Sequence, residues 1–466
     1  MNNPLSTSSM PLICKGPMTD TAVAAMARLE STQGLGLDLE QHQPLPAQIQ
    51  QWQTDEGAKV SFMPSHDRPI FDLALRFRAG SALDGTSPGL AALVLYSLDQ
   101  GTEHLDAAQF AQAIEGLGAI MARQMNQDEA VITLRCLSLP ALRTSALQLL
   151  TQMLARPAFR EEAVAGIRER LLNFLGAVAS SPASGMSHAT MSHVFDGHPY
   201  ATHWAGTPES LKQIDEQQLR DFHRRAYSAN NLDIGLVGDL SRDEAQTLIT
   251  ELLQALPQHW AGQLPPPAPL PEALTRHQEH TASTTRATLT LLLPTSPDKP
   301  GYAALTMLDE ILGSGFESRL TQELRSRRAL TYTIRSSLRP FDAVSLLQIE
   351  WDIAPQYRDA SRELVSGMLA CLREHGPSQA ECDMARNQIA GRLHRTMASN
   401  AELAKSLATS SHLGQPADHF ATYIQSLAAL TPKDIREAAR IWLSPAQEVF
   451  ITLGPPHAQQ PLPELP

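Results

Sequence analysis

Two hydrophobic periods alternate along the chain, and their order occurs twice. A period-two run, FDLALRFRAGS (71–81), predicts a strand, and RATLTLLLP (286–294) predicts its counterpart in the second half. A turn and an apolar helical segment follow each: SPGLAALVLYSLDQ (87–100) and KPGYAALTMLDEILGSG (299–315). Next come a second helix and a short loop into strands, FAQAIEGLGAIMARQ (110–124) and RLTQELRSRRALTYTIRSS (319–337). Strands are predicted at AVITLRCLS (130–138) and VSLLQIEWDI (344–353), then long amphipathic helices over 141–157 and 357–377. Both helices stop at proline and resume as EEAVAGIRERLLNFL (161–175) and SQAECDMARNQIAGRLH (378–394). The first half closes on NLDIGLVGDLSRDEA (231–245) and a capped helix, and the second on EVFITLGP (448–455).

This order predicts an α+β protein of two homologous domains, each an antiparallel sheet with helices packed on one side. QLPPPAPLPEAL (263–274) has five prolines within seven positions, which forbids helix and central strand and favours an extended spacer. The expected division is an N-terminal arm over 1–48, a first domain over 49–262, a Pro-rich linker over 263–275 and a second domain over 276–460. The arm is rich in Gln, Ser and Pro and is expected to be loose.

Composition changes this picture little. The chain has 466 residues, 42% of them hydrophobic and 18% charged, ordinary for globular domains with sizeable cores. A net charge of −12 argues against a general nucleic-acid or anionic-membrane binder, which needs a basic stripe. No apolar run approaches the ~18 residues of a membrane span. MNNPLSTSSMPLICKGPM has no continuous apolar stretch and is not expected to act as a signal peptide. Four cysteines, Cys14, Cys136, Cys371 and Cys382, are scattered without a CxxC pair and are expected to be thiols.

Several segments taken together, FRAGSALDGTSPGLAAL, GHPYATHWAGTPESL (197–211), NLDIGLVGDLSRDEA, the Pro-rich linker and GSGFESRLTQELRSRRALTYTI (313–334), resemble the M16 (insulinase/pitrilysin-type) metallopeptidase family, in its short-chain bacterial branch. The likeness runs over about residues 50 to 460. It implies two M16-type domains. Active members carry HxxEH inside the G-L-A…G-T frame: two histidines one helical turn apart bind Zn²⁺, and the glutamate activates water. Here that register holds Ala92 and Tyr96 at the histidine positions and Leu95 at the glutamate. A later helix supplies the third ligand in active members; in this chain GIRERLLNFLG offers Asn173, with Glu169 the nearest carboxylate. Ala and Leu have no ligand atom, and a phenol is a poor zinc donor at neutral pH, so no metal is expected here.

Other histidines offer no replacement. HQEH (277–280) reads as a solvated charged loop, and His188 and His193, five apart, fall on different helix faces. His198 and His203 are expected to form structural hydrogen bonds in a loop. P-loop and GxGxxG patterns are absent.

The resemblance also implies a substrate-holding pair in the second half, an Arg and, seven residues on, a Tyr: Arg325 and Tyr332. Without that frame they would be a surface-helix Arg and a packed strand Tyr. The expectation is a non-catalytic, substrate-binding subunit of a heterodimeric zinc peptidase acting on short or unfolded peptides, with HxxEH and zinc on an M16 partner. Rival readings are a structural scaffold, a peptide-binding chaperone, and an active metalloenzyme with an unrecognised site. Similar bacterial chains often carry export signals, so the periplasm is the expected compartment and the cytoplasm the alternative.

Overall fold

The computed structural model describes residues 48–342 and 344–464. The expected N-terminal arm, with Cys14, lies outside them but for Gln48. The described chain forms two compact units. One comprises the residues up to Pro269 together with Leu393–Ala421; the other comprises Leu270–Arg392 and the residues from Thr422 on. The break between halves therefore falls at the Pro-rich segment, but a stretch of the second half, 393–421, folds with the first.

Six strands build the sheet of the first unit: β1 (Gln50–Gln53), β2 (Lys59–Pro64), β3 (Ile70–Phe77), β4 (Ile120–Met125), β5 (Ala130–Leu137) and β6 (Leu232–Gly238), in the order β1-β2-β6-β3-β5-β4. The second unit holds β7 (Leu274–Glu279), β8 (Thr285–Leu293), β9 (Ile334–Pro340), β10 (Ser345–Ile353) and β11 (Val449–Gly454), in the order β7-β11-β8-β10-β9. The sheets are not purely antiparallel: β2 runs parallel to β6, and β7 to β11. Each parallel neighbour sits on a segment far away in sequence, so local alternation could not reveal its direction.

Over 110–124, read as a helix and a short loop into strands, the helix Ala107–Gly116 stops and β4 begins at Ile120. Gly118, at φ 63, takes the left-handed conformation that ends it. HQEH departs from expectation: 274–279 is an edge strand, and His277 Nδ1 meets Thr452 Oγ1 at 2.9 Å.

One face of the first sheet packs on the helices of its own half, among them Leu90–Ser97, Pro140–Ala155, Glu161–Ser180, Glu216–Ala226 and Arg242–Gln254, around Phe62, Leu73, Leu75, Leu93 and Phe222. The other face was expected to be bare. Instead, helix Asn400–His412 covers it, setting Leu403, Ala404, Leu407 and Ala408 on Ala74 and Val237. This is why β3 and β6 are buried on both faces. Polar groups key the helix to the strands: Ser61 Oγ and Ser411 Oγ lie 2.7 Å apart, and His412 Nδ1 is 3.0 Å from Asp233 Oδ2. Buried Asp72 takes a bidentate pair from Arg135 at 2.8 and 3.1 Å.

In the second unit, β8, β10 and β11 pack Leu289, Leu291, Ile349, Trp351 and Phe450 against helices Tyr302–Asp309, Arg358–His375 and Pro432–Trp442. Cys136, Cys371 and Cys382 are buried thiols.

Helix Glu216–Ala226 carries a buried histidine with a pH signature. Burial, helped by Arg220 and Arg224, pushes the His223 imidazole down to about 4, against a bond from its Nε2 to Leu154 O at 2.8 Å. The native state thus declines a proton that the unfolded chain accepts near 6.5. Stability is full above that pH and falls as pH drops toward 4. We expect the melting temperature to decline over this window and His223→Gln to flatten the decline; parallel melting curves for both proteins would contradict it.

Candidate functional site: a filled metal frame and an arginine between two rings

The first candidate site is built on helix Leu90–Ser97. Its N-cap, Gly89, has φ 94, and the buried Asp84 carboxylate accepts Gly89 N at 2.6 Å and Ala91 N at 2.8 Å. A side chain at Gly89 would meet Ala205 O at 2.7 Å and Leu211 at 2.8 Å, and one at Gly206 would strike Pro88 O. Two segments that looked like separate motifs, SPGLAAL and AGTPESL, are therefore one packing unit in which paired glycines let backbones touch.

Within that frame Ala92 and Leu95 are fully buried in the core, and Tyr96 is half-buried. The Tyr96 ring lies 6.0 Å from Trp204, which lies 5.3 Å from Phe174 and 5.4 Å from His203. Arg123, on β4, pairs with Asp99, holds its guanidinium 5.8 Å from the Tyr96 ring centre and reaches Tyr96 O at 3.4 Å. Burial raises the Tyr96 phenol above its ordinary value, although Arg123 opposes this, so it stays protonated at neutral pH. Glu169 and Asn173 are exposed on helix Glu161–Ser180, and Phe174, the next residue, joins the rings instead. These side chains do not fit zinc. Among the described residues no group of three or more His, Cys, Asp or Glu could hold a metal.

The loop histidines behave as expected of structural groups. His198 bonds Pro266 O at 2.7 Å and accepts from Tyr200 N at 3.2 Å. His203 accepts from Ala205 N at 3.1 Å, and burial, then nearby His188, lowers its basicity. Residue-by-residue inspection for ligands missed the aromatic cluster, although HW at 203–204 and NF at 173–174 carry its rings in the sequence.

The second candidate site lies in the other unit. Helix Tyr302–Asp309 starts at Gly301 with φ 86, repeating the Gly89 device, and widens into a π-helical turn over Glu310–Ser314. Ser336 Oγ donates to Asp309 Oδ1 at 2.5 Å, and burial pushes the Asp309 carboxyl up to about 6. Arg392 pairs with buried Glu310 at 2.8 Å. A second π-helical turn, Thr321–Arg327, ends where Ala329 turns left-handed at φ 49.

This turn sorts its arginines. Buried Glu323 holds Arg327 at 3.3 Å and Arg328 at 2.8 Å. Arg319 is locked to Glu381 at 2.6 and 2.9 Å. Arg325 has a different neighbourhood: its guanidinium carbon sits 4.4 Å from the Tyr332 ring centre and 5.7 Å from that of Phe316. Tyr332 is 81% exposed and Phe316 73%. The structure thus brings Arg325 and Tyr332 together and adds Phe316, which sequence reasoning missed. Tyr332 does not pack in a strand; it precedes β9 and borders a cleft of about 420 Å³. Rings with this geometry hold a guanidinium by cation–π attraction and leave its donors available to an acceptor.

Comparison with known proteins gives the family. Residues 62–208 match the model for Insulinase (Peptidase family M16), and residues 213–389 that for the Peptidase M16 inactive domain. The chain is 26% identical, over 71% of its length and 77% of the relative's, to the non-peptidase homolog YmxG of Helicobacter pylori. It is also 26% identical to an uncharacterized zinc protease of Mycobacterium leprae, over 48% of this chain and about half (51%) of that protein. The crystal structure of a peptidase M16 inactive domain from Pseudomonas fluorescens superposes with a TM-score of 0.85 at 33% identity, covering 89% of this chain and all of that one. With both family models matched and the fold shared along nearly the whole chain, the protein belongs to the M16 peptidase family.

Proposed function

We propose that this chain is the non-catalytic, substrate-binding subunit of a heterodimeric M16-type zinc metallopeptidase that cleaves short or unfolded peptides. The observation that carries the reading is Arg325. Two of its neighbours are tied to a buried carboxylate, while it alone is presented between exposed rings. A guanidinium so placed suits a peptide carbonyl or terminal carboxylate, and the Tyr332 phenol suits an oxygen that gains charge. The outer edge of β4, beside Tyr96, offers backbone groups to which an extended peptide adds as a strand. Zinc and its HxxEH belong to the partner in this reading, and the pair works in the periplasm. No described helix is long and apolar enough to cross a membrane.

The alternative is a structural M16 homologue without a peptidase role. Its support is the packed aromatic cluster in the metal frame and the similarity to a non-peptidase homolog. Co-expression with an HxxEH-bearing M16 chain separates the two. We expect co-elution as a pair burying well over ~1,000 Å², with one zinc per pair and none stoichiometric in this chain alone. Separate elution at micromolar concentration, or one chelator-removable zinc in this chain by itself, would overturn the proposal.

A further inference from the structure

A basin of about 870 Å³ opens in the first unit, and its lining includes neither Ala92, Leu95 and Tyr96 nor the rings of Phe174 and Trp204. It lies where the loop Arg156–Arg160, the last turns of helix Glu216–Ala226 and the segment Ala255–Pro257 converge. Its charged lining is Arg156, Arg160, Arg220 and Arg224 against one carboxylate, Glu103. In a chain of net charge −12 that balance is opposite to the whole.

The loop is shaped to produce it. Phe159 has φ 46, a left-handed conformation that costs a bulky residue free energy and persists only where surroundings enforce it. Those surroundings are identifiable: the Phe159 ring is buried, edge-on to His223 at 5.6 Å, with the Arg220 guanidinium 5.8 Å above. With Phe159 turned inward, Arg156 and Arg160 line the basin from either side of it.

The arginines are positioned without being fully neutralised. Arg160 donates to the carbonyls of Thr102 at 3.0 Å and Leu105 at 3.1 Å, which fix the side chain but leave its charge. Arg220 donates to Ala158 O at 3.1 Å and to Glu216 at 2.8 Å. Arg224 pairs with Asp221, and Arg156 with Glu103 at 3.4 Å. Both members of these last three pairs are largely solvated, and such pairs are worth ~0–1 kcal/mol. A ligand carrying several negative oxygens can replace them and collect bidentate donors from more than one guanidinium.

We propose that this basin binds a small multivalent oxyanion, a condensed phosphate or a polycarboxylate. Its volume falls within the range of small-ligand sites. Because Phe159 is buried, no ring is offered for stacking, which favours a compact anion over a planar heterocycle.

Calorimetric titration of the intact chain at physiological salt, with tripolyphosphate and with citrate as separate probes, tests this. One site is expected with a Kd at or below roughly 100 μM for at least one probe. The double variant Arg160→Ala/Arg220→Ala should weaken it at least about tenfold. Arg335→Ala, which breaks the exposed pair with Glu350 in the other unit, should leave it unchanged. Tripolyphosphate alone binding assigns the phosphate class, and citrate alone the carboxylate class. No saturable heat with either probe up to about 5 mM, or equal affinity in a double variant whose melting curve matches the parent, overturns the proposal.

Discussion

Replacing Gly235 by valine should unseat helix Asn400–His412 from the first sheet and destabilise the unit by at least about 4 kcal/mol. A Cβ at Gly235 would fall inside Ala404 O and meet Ala408 N at 2.6 Å, both backbone atoms that no rotamer change can move. The helix must lift, and with it go the contacts of Leu403 and Leu407, both fully buried. Each such side chain is worth ~1.5–3 kcal/mol. The lift also exposes Ala74 and Val237 and separates Ser61 from Ser411 and Asp233 from His412. Gly166→Ala is the matched control: Gly166 lies within helix Glu161–Ser180 with nothing near a new Cβ, so it should be neutral or stabilise by up to ~1 kcal/mol. Thermal unfolding measures the loss, and limited proteolysis shows whether cleavage moves into 393–421. A Gly235→Val melting curve within a few degrees of the parent would show that the helix is not held by this contact.

The repeat, the element order and most strands were legible because they rest on local periodicity: FDLALRF and RATLTLLL place alternate residues on one face, whatever lies far away. The misses share a cause. LDIGLVG is apolar at nearly every position, the mark of a strand covered on both faces. The cover comes from residues 400–412, about 170 positions on, and no local pattern links the two. On helix Leu90–Ser97 the sequence alone shows that Ala92 and Leu95 have no ligand atom to offer. It could not show what Tyr96 does, because its ring partners Trp204 and Phe174 come from two other segments. Phe316 escaped notice for the same reason: only the fold sets it against Arg325.

The frame is held for a physical reason. Gly89 and Gly206 are required by backbone contact and Asp84 by the helix N-terminus, so those residues are fixed by packing. Ala92, Leu95 and Tyr96 carry no such duty, and apolar or aromatic side chains there leave no buried, unpaired charge, which would cost several kcal/mol.

In the assembled pair, Arg325→Ala should lower kcat/KM for peptide cleavage by roughly ten- to a hundredfold, the ~1.5–3 kcal/mol of a lost charged hydrogen bond. Folding should not change, since Arg325 meets two exposed rings rather than a buried carboxylate. Tyr332 separates two roles. Tyr332→Phe keeps the ring beside the guanidinium and removes only the phenol donor, so a fall of similar size assigns the hydroxyl to the substrate. Tyr332→Ala also removes the ring and should cost more, because exposed cation–π contacts contribute ~0.5–1 kcal/mol to holding Arg325 in place. Phe316→Ala, at the longer distance of 5.7 Å, should have a smaller effect of the same kind. Melting temperature and co-elution with the partner should be unaffected in all four. If Arg325→Ala and Tyr332→Phe both retain full turnover, the second unit holds no substrate and the chain is a scaffold for its partner.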